Sequence, residues 1–254
     1  MSRKVALVLA AASMIALAGC DGVVGARMTF EDTEKAKITD IVLRGGGGDV
    51  LINTADTTET SIRRVIRGST DPGPSYSLSG STLDISTDCG RNCHVSYEIT
   101  APAGVAVKGD VRSGDMGLTG VGAVDLKMTS GDILVERATG PVAIEATSGD
   151  MSVTGAPSLT VELTSGDIRA DDIAGPIEAR ATSGDMSLVL DVPASVTASV
   201  QSGDLNLTVP DGAYRVKTEA GGGDVMVENL ANDAKATHVL DLRTRSGDLF
   251  VTTG

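Results

Sequence analysis

The tripeptide Ser-Gly-Asp recurs at Ser113, Ser130, Ser148, Ser165, Ser183, Ser202 and Ser246, with Gly222-Gly223-Asp224 and Gly47-Gly48-Asp49 as degenerate copies. Anchored on the carboxylate, the series is Asp49, Asp115, Asp132, Asp150, Asp167, Asp185, Asp204, Asp224 and Asp248. One motif returning at one phase means that a single structural unit is built repeatedly, and few folds accept that. From Asp115 the spacings are 17, 18, 17, 18, 19, 20 and 24 residues, a period that loosens slowly.

The flanks repeat too. Eight, six and four residues before Asp132 stand Val124, Leu126 and Met128; before Asp150, Val142, Ile144 and Ala146; before Asp167, Leu159, Val161 and Leu163. Such alternation is a strand with one buried face. The pattern resumes one and three residues after the Asp, as in Ile133 and Val135 or Leu205 and Leu207, so a second short strand follows the corner. Intervening positions carry Asp125, Lys127, Glu145, Glu162, Arg169, Glu178 and Arg180, a solvated outer surface. Loops such as Ala138-Thr139-Gly140-Pro141 and Ala174-Gly175-Pro176 close each repeat. About five inward side chains per repeat, each contributing roughly 1.5 to 3 kcal/mol when buried, cannot make a core alone but can when stacked. The reading is all-β: a parallel β-solenoid with 17–20 residues per coil over residues 38–254. An antiparallel sandwich of Gly-Asp hairpins is the runner-up. Residues 54–105 lack the motif but keep alternating runs, such as Val95-Ser96-Tyr97-Glu98-Ile99, and are expected to be irregular early coils or a cap.

At the corner, Gly reaches positive φ without steric cost and Asp bonds nearby backbone N–H groups in an Asx-type turn. Stacking then places the carboxylates in a column roughly 4.8 Å apart, where neighbours repel by about 1 kcal/mol in a water-like dielectric. Ca²⁺ is an alternative role for that column, although one Asp per coil differs from calcium-binding repeats that add Gly carbonyls.

The N-terminus reads as a targeting segment: Arg3 and Lys4 precede an uncharged apolar run from Val5 to Ala18, short for spanning a membrane. It ends in Leu17-Ala18-Gly19-Cys20, which resembles the lipobox of bacterial lipoproteins. The resemblance implies cleavage after residue 19, acylation of Cys20 (palmitate among the acyl groups) and a linker over 20–37. Asp21 resembles an inner-membrane retention signal of enteric bacteria, so outer membrane, cell surface and inner membrane all stay open, with the first two preferred. Loss of Arg3 and Lys4 takes the net charge from −13 to −15, which argues against nucleic acid or bare anionic lipid as the main partner. Cys89 and Cys93 remain; an exported pair this close is expected to be a disulfide that pins a turn. His94 makes the run one residue longer than the usual haem-attachment motif, so neither haem nor a metal is expected there.

Serial Ser-Gly-Asp with alternating apolar flanks, and Pro-initiated strands such as Ala101-Pro102-Ala103-Gly104 and Val192-Pro193-Ala194-Ser195, resemble a bacterial family of putative adhesins built on a domain of unknown function. The resemblance implies an envelope binding or scaffold solenoid with an unknown surface partner. Alternatives are a structural or sensor-associated module and a polysaccharide-active β-helix enzyme. Catalysis is not expected: the chain has no Trp and two His, shows no nucleophile elbow or P-loop, and its repeated Asp residues are equivalent rather than unique.

Overall fold

A computed structural model describes residues 27–68, 73–74, 76–90 and 92–254. The targeting segment, Cys20 and Asp21 lie outside the described residues. The chain runs through β1 (Arg27–Glu34), β2 (Asp40–Gly45), β3 (Gly48–Ala55), β4 (Thr60–Arg67), β5 (Tyr76–Ser79), β6 (Thr82–Ser86) and β7 (His94–Pro102). Eight regular pairs follow: β8 and β9 (Ala106–Ser113, Met116–Thr119), β10 and β11 (Val124–Ser130, Ile133–Glu136), β12 and β13 (Val142–Ser148, Met151–Ala156), β14 and β15 (Leu159–Ser165, Ile168–Ile173), β16 and β17 (Ile177–Ser183, Met186–Leu190), β18 and β19 (Val196–Ser202, Leu205–Val209), β20 and β21 (Tyr214–Ala220, Val225–Val227), and β22 and β23 (His238–Ser246, Leu249–Thr253).

Each coil gives one strand to an 11-stranded sheet and the next to a 12-stranded sheet. From β8 onward every pairing is parallel, as the solenoid reading requires and a hairpin sandwich does not. In-register stacking puts like with like. Val107, Val124, Val142, Leu159, Ile177, Val196 and Leu240 form one inward column of the first sheet, and Met116, Ile133, Met151, Ile168, Met186, Leu205 and Leu249 one of the second. All are buried. Sizes alternate where space is short: Leu163 sits between Ala146 and Ala181, the interdigitation that close packing demands.

Three features depart from the sequence reading. Coils do not stack in chain order: β2 and β3 lie between the β6–β7 coil and the β8–β9 coil, and β22 and β23 slot between β18–β19 and β20–β21. The interval of 24 residues before Asp248 is therefore an excursion around the outermost coil, not a loosened period. Second, part of the expected linker is structured, since β1 pairs antiparallel with β4, which pairs antiparallel with β7. Third, residues 54–105 contain one regular coil, β6–β7, plus the antiparallel additions β4 and β5.

The two largest buried side chains, Tyr97 and Tyr214, belong to the two outermost coils, where their hydroxyls donate to the carbonyls of Ser86 and Pro210 at 2.9 Å. At the N-terminal end Arg64 lies 4.3 Å over the Phe30 ring, and the Tyr76 hydroxyl donates to Glu34 at 3.2 Å. Burial, then the carboxylates of Asp32 and Glu34, push the Tyr76 phenol up to about 12 against the opposite pull of Arg64. An unfolded Tyr loses its proton near pH 10. The raised folded value thus contributes stability that is complete below about pH 10 and disappears as pH rises toward 12. Melting temperatures should fall more steeply over that window for the wild type than for Tyr76→Phe; parallel curves would remove Tyr76 from the account. Tyr214, raised in the same direction by burial and Asp211, is common to both proteins.

Candidate binding face and the aspartate column

All nine Asp residues stack along one edge. In spatial order Asp49, Asp115, Asp132, Asp150, Asp167, Asp185, Asp204, Asp248 and Asp224, each Oδ1 accepts the backbone N–H of the next Asp at 2.8–3.3 Å. The bond runs between coils, not within the turn as the Asx reading has it. The reason lies in the neighbouring rungs: the residue after each Asp gives its N–H to the next coil's Asp carbonyl, as Met151 does to Asp167 at 2.9 Å. The Asp carbonyl is thus taken up by the preceding coil, and the Asp N–H finds its acceptor in that coil's carboxylate.

The glycine column beside it is equally determined. Gly184 has φ +123°, and a Cβ there would stand 1.9 Å from the carbonyl oxygen of Gly166; Gly149, Gly166, Gly203 and Gly247 are alike, at 2.0–2.1 Å from the preceding glycine's oxygen. As for Ca²⁺, among the described residues no three His, Cys, Asp or Glu side chains converge as a metal site.

At the N-terminal end of the column the pattern changes. Ser96 takes the place of Asp, and Nε2 of His94 stands 3.3 Å from Oδ2 of Asp49. The corner of this coil is the Cys89–Cys93 disulfide, with Cα atoms 5.6 Å apart.

The two outward faces differ. On the 11-stranded sheet charges alternate along and across strands: Lys127 pairs with Glu145, Arg180 with Glu178, Arg44 with Asp84 and Arg243 with Asp241. The 12-stranded sheet carries a groove of about 730 Å³ instead, bounded on one side by Asp49, Asp115, Asp132, Asp150 and Asp167. Two positions beyond each Asp, its other row reads Leu51, Gly117, Leu134, Ser152 and Arg169. Leu51 and Leu134 are 43% and 44% exposed, and the lack of a side chain at Gly117 lets Leu51 lie over it, since a Cβ there would stand 2.8 Å from Leu51 Cδ1. Arg169, held by Asp171 at 2.7 Å, closes one end and Glu98 the other. Sequence reasoning missed this strip. Its signal was present, for Val50-Leu51-Ile52 and Ile133-Leu134-Val135 are unbroken apolar runs, as are Val225-Met226-Val227 and Leu249-Phe250-Val251 at the far end, whereas Ser152, Arg169, Ser187 and Asn206 stand between the inward pair in the coils between.

A family model matches residues 28–252, nearly all of the described chain. The chain belongs to the Toastrack family, DUF4097. For a Toastrack protein the match has a structural counterpart: the crystal structure of a putative adhesin from Bacteroides fragilis superposes with TM-score 0.53 at 13% identity, covering 92% of this chain and 100% of that one. A putative cell adhesion protein from Clostridium sporogenes aligns at 12% identity over 89% of this chain and 100% of its own, with TM-score 0.27. At such identities the first likeness speaks for the Toastrack fold alone. A comparison with curated proteins gives no match.

Proposed function

We propose that this Toastrack domain is a non-catalytic binding or scaffold module of the bacterial envelope, carried as a lipoprotein acylated on Cys20, and that its binding face is the outward surface of the 12-stranded sheet. The observation that carries the reading is the asymmetry of the two faces. A structural role alone is met by paired charges on both, yet one sheet leaves Leu51 and Leu134 in water beside a column of carboxylates. Apolar side chains aligned in a groove mark interaction surfaces. The chemistry that fits is an apolar group flanked by cationic or hydroxyl donors, matched to Leu51, Leu134 and the Asp column. The adhesin name of the Bacteroides fragilis neighbour and the lipobox-like run ending at Cys20 agree with a surface location.

The test is a photo-crosslinking residue at Ser152, on the groove floor, or at Thr160, on the opposite sheet, in the intact lipoprotein on cells. The groove should give adducts at Ser152 and none at Thr160, and Leu51→Asp with Leu134→Asp should abolish them. Equal adducts at both sites, or none at either, would favour a purely structural or sensor-associated module.

A further inference from the structure

Beyond the N-terminal end of the Asp column, the edge strands bring basic residues together at one place. Antiparallel pairing sets Arg27 opposite Arg67, and Arg67 opposite His94, so three basic residues form one rung across β1, β4 and β7. All three are exposed. They share the outward face, as four-residue steps from Glu31, Arg63 and Glu98. The latter trio is internally paired, Arg63 lying 2.7 Å from Glu98 and 3.8 Å from Glu31, so those carboxylates are engaged elsewhere. His94 faces Asp49, but among the described residues neither Arg27 nor Arg67 has an ion-pair partner. Like charges directly opposite one another on a sheet are destabilising. The register therefore sets Arg27 and Arg67 side by side, an arrangement that a bound anion would relieve.

The place of the rung in the chain says which anion. Arg27 opens β1, and only residues 21–26 separate it from Cys20. At roughly 3.3 to 3.6 Å per residue the seven steps from Cys20 to Arg27 span at most about 25 Å, so a chain acylated at Cys20 holds Arg27 within that distance of the bilayer. The rest of the solenoid, where acidic residues dominate, is repelled by the same surface. We propose that the Arg27–Arg67–His94 rung docks on the phosphate headgroups of the membrane that holds the acyl chains, so that the edge strands β1 and β4 lie nearest the bilayer and the C-terminal coils farthest from it. This rests on the lipoprotein reading above. It does not conflict with the net charge, which opposes binding of the whole body and leaves this end as the region that can approach.

The chain has no Trp, so a single introduced one reports alone. Acylated protein carrying Thr29→Trp on the outer face of β1, or Met226→Trp on the far edge strand, is placed in vesicles of phosphatidylcholine with or without about 30 mol % phosphatidylglycerol. Part of the lipid carries a nitroxide on its headgroup. Quenching at Thr29→Trp should exceed that at Met226→Trp and rise with phosphatidylglycerol. It should fall when Arg27→Gln and Arg67→Gln are combined, by roughly fivefold in docked-to-undocked ratio per arginine, and in about 0.5 M salt, where screening is nearly complete beyond contact. Quenching that ignores both the substitutions and the anionic lipid, with acyl mass present on the Cys20 peptide, would overturn the rung alone. Absence of that acyl mass would overturn the lipoprotein reading and the docking with it.

Discussion

Gly184→Ala should unfold or severely destabilise this protein, by about 4 kcal/mol or more. Two costs add. An alanine at φ +123° is strained by roughly 1–2 kcal/mol. Its Cβ would then meet the Gly166 carbonyl oxygen at 1.9 Å, far inside contact distance. Relief requires the two coils to separate, but the rungs on either side hold them at hydrogen-bonding distance along both sheets, so local yielding opens several bonds at once. Gly104→Ala is the control: φ is +77° and nothing lies within 4 Å of the added atom, so only the conformational strain applies. Thermal or urea denaturation of both variants separates the terms. A Gly184→Ala protein no less stable than Gly104→Ala would refute the close stacking at the corner.

Replacing Asp150, Asp167 and Asp185 together by Ala should cost about 3 kcal/mol, whereas the same three changed to Asn should leave stability unchanged or raise it. Each Asp Oδ1 accepts the next coil's N–H, and leaving such a donor without its partner costs about 1 kcal/mol where water can partly replace it. Asn retains the carbonyl oxygen in that role. It also removes a negative charge from a column in which adjacent charges repel by about 1 kcal/mol in water, so the gain from neutralisation offsets the weaker acceptor. Denaturant midpoints at low and high salt decide the matter: the advantage of Asn over Asp should shrink as salt screens the column. If the Ala and Asn sets were equally destabilised, charge would be serving the fold in a way that the hydrogen-bond geometry does not contain. The choice of Asp over Asn at nine successive corners is unexplained by stability. It is consistent with a groove that uses the carboxylates toward a partner.

Much of this molecule could be read residue by residue. Val124, Leu126 and Met128 before the corner and Ile133 and Val135 after it occupy the buried positions that their alternation implies, and the Ser-Gly-Asp period places Asp132 above Asp115. The β1 strand was invisible because it carries no corner motif and joins the sheet through antiparallel neighbours distant in sequence. The Leu51–Leu134 strip escaped notice because these residues are 83 apart in the chain and become neighbours of Gly117 only when coils from different parts of the sequence lie side by side. The basic rung of Arg27, Arg67 and His94 has the same origin.

Local periodicity established which side chains point inward and where each corner falls, since these follow from period-two alternation and the conformational freedom of glycine, and the return of one corner at one phase favoured parallel stacking over hairpins. The order of the stack was a tertiary matter. Any coil with matching columns can sit beside any other, so repeat similarity leaves the order open. Side-chain size agrees with the order observed: Tyr97 and Tyr214 would overpack an interior coil with aliphatic layers on both sides. They fit only in the outermost coils, where one side is free of a full repeat, and so β3 and β23 lie inside the coils that carry them.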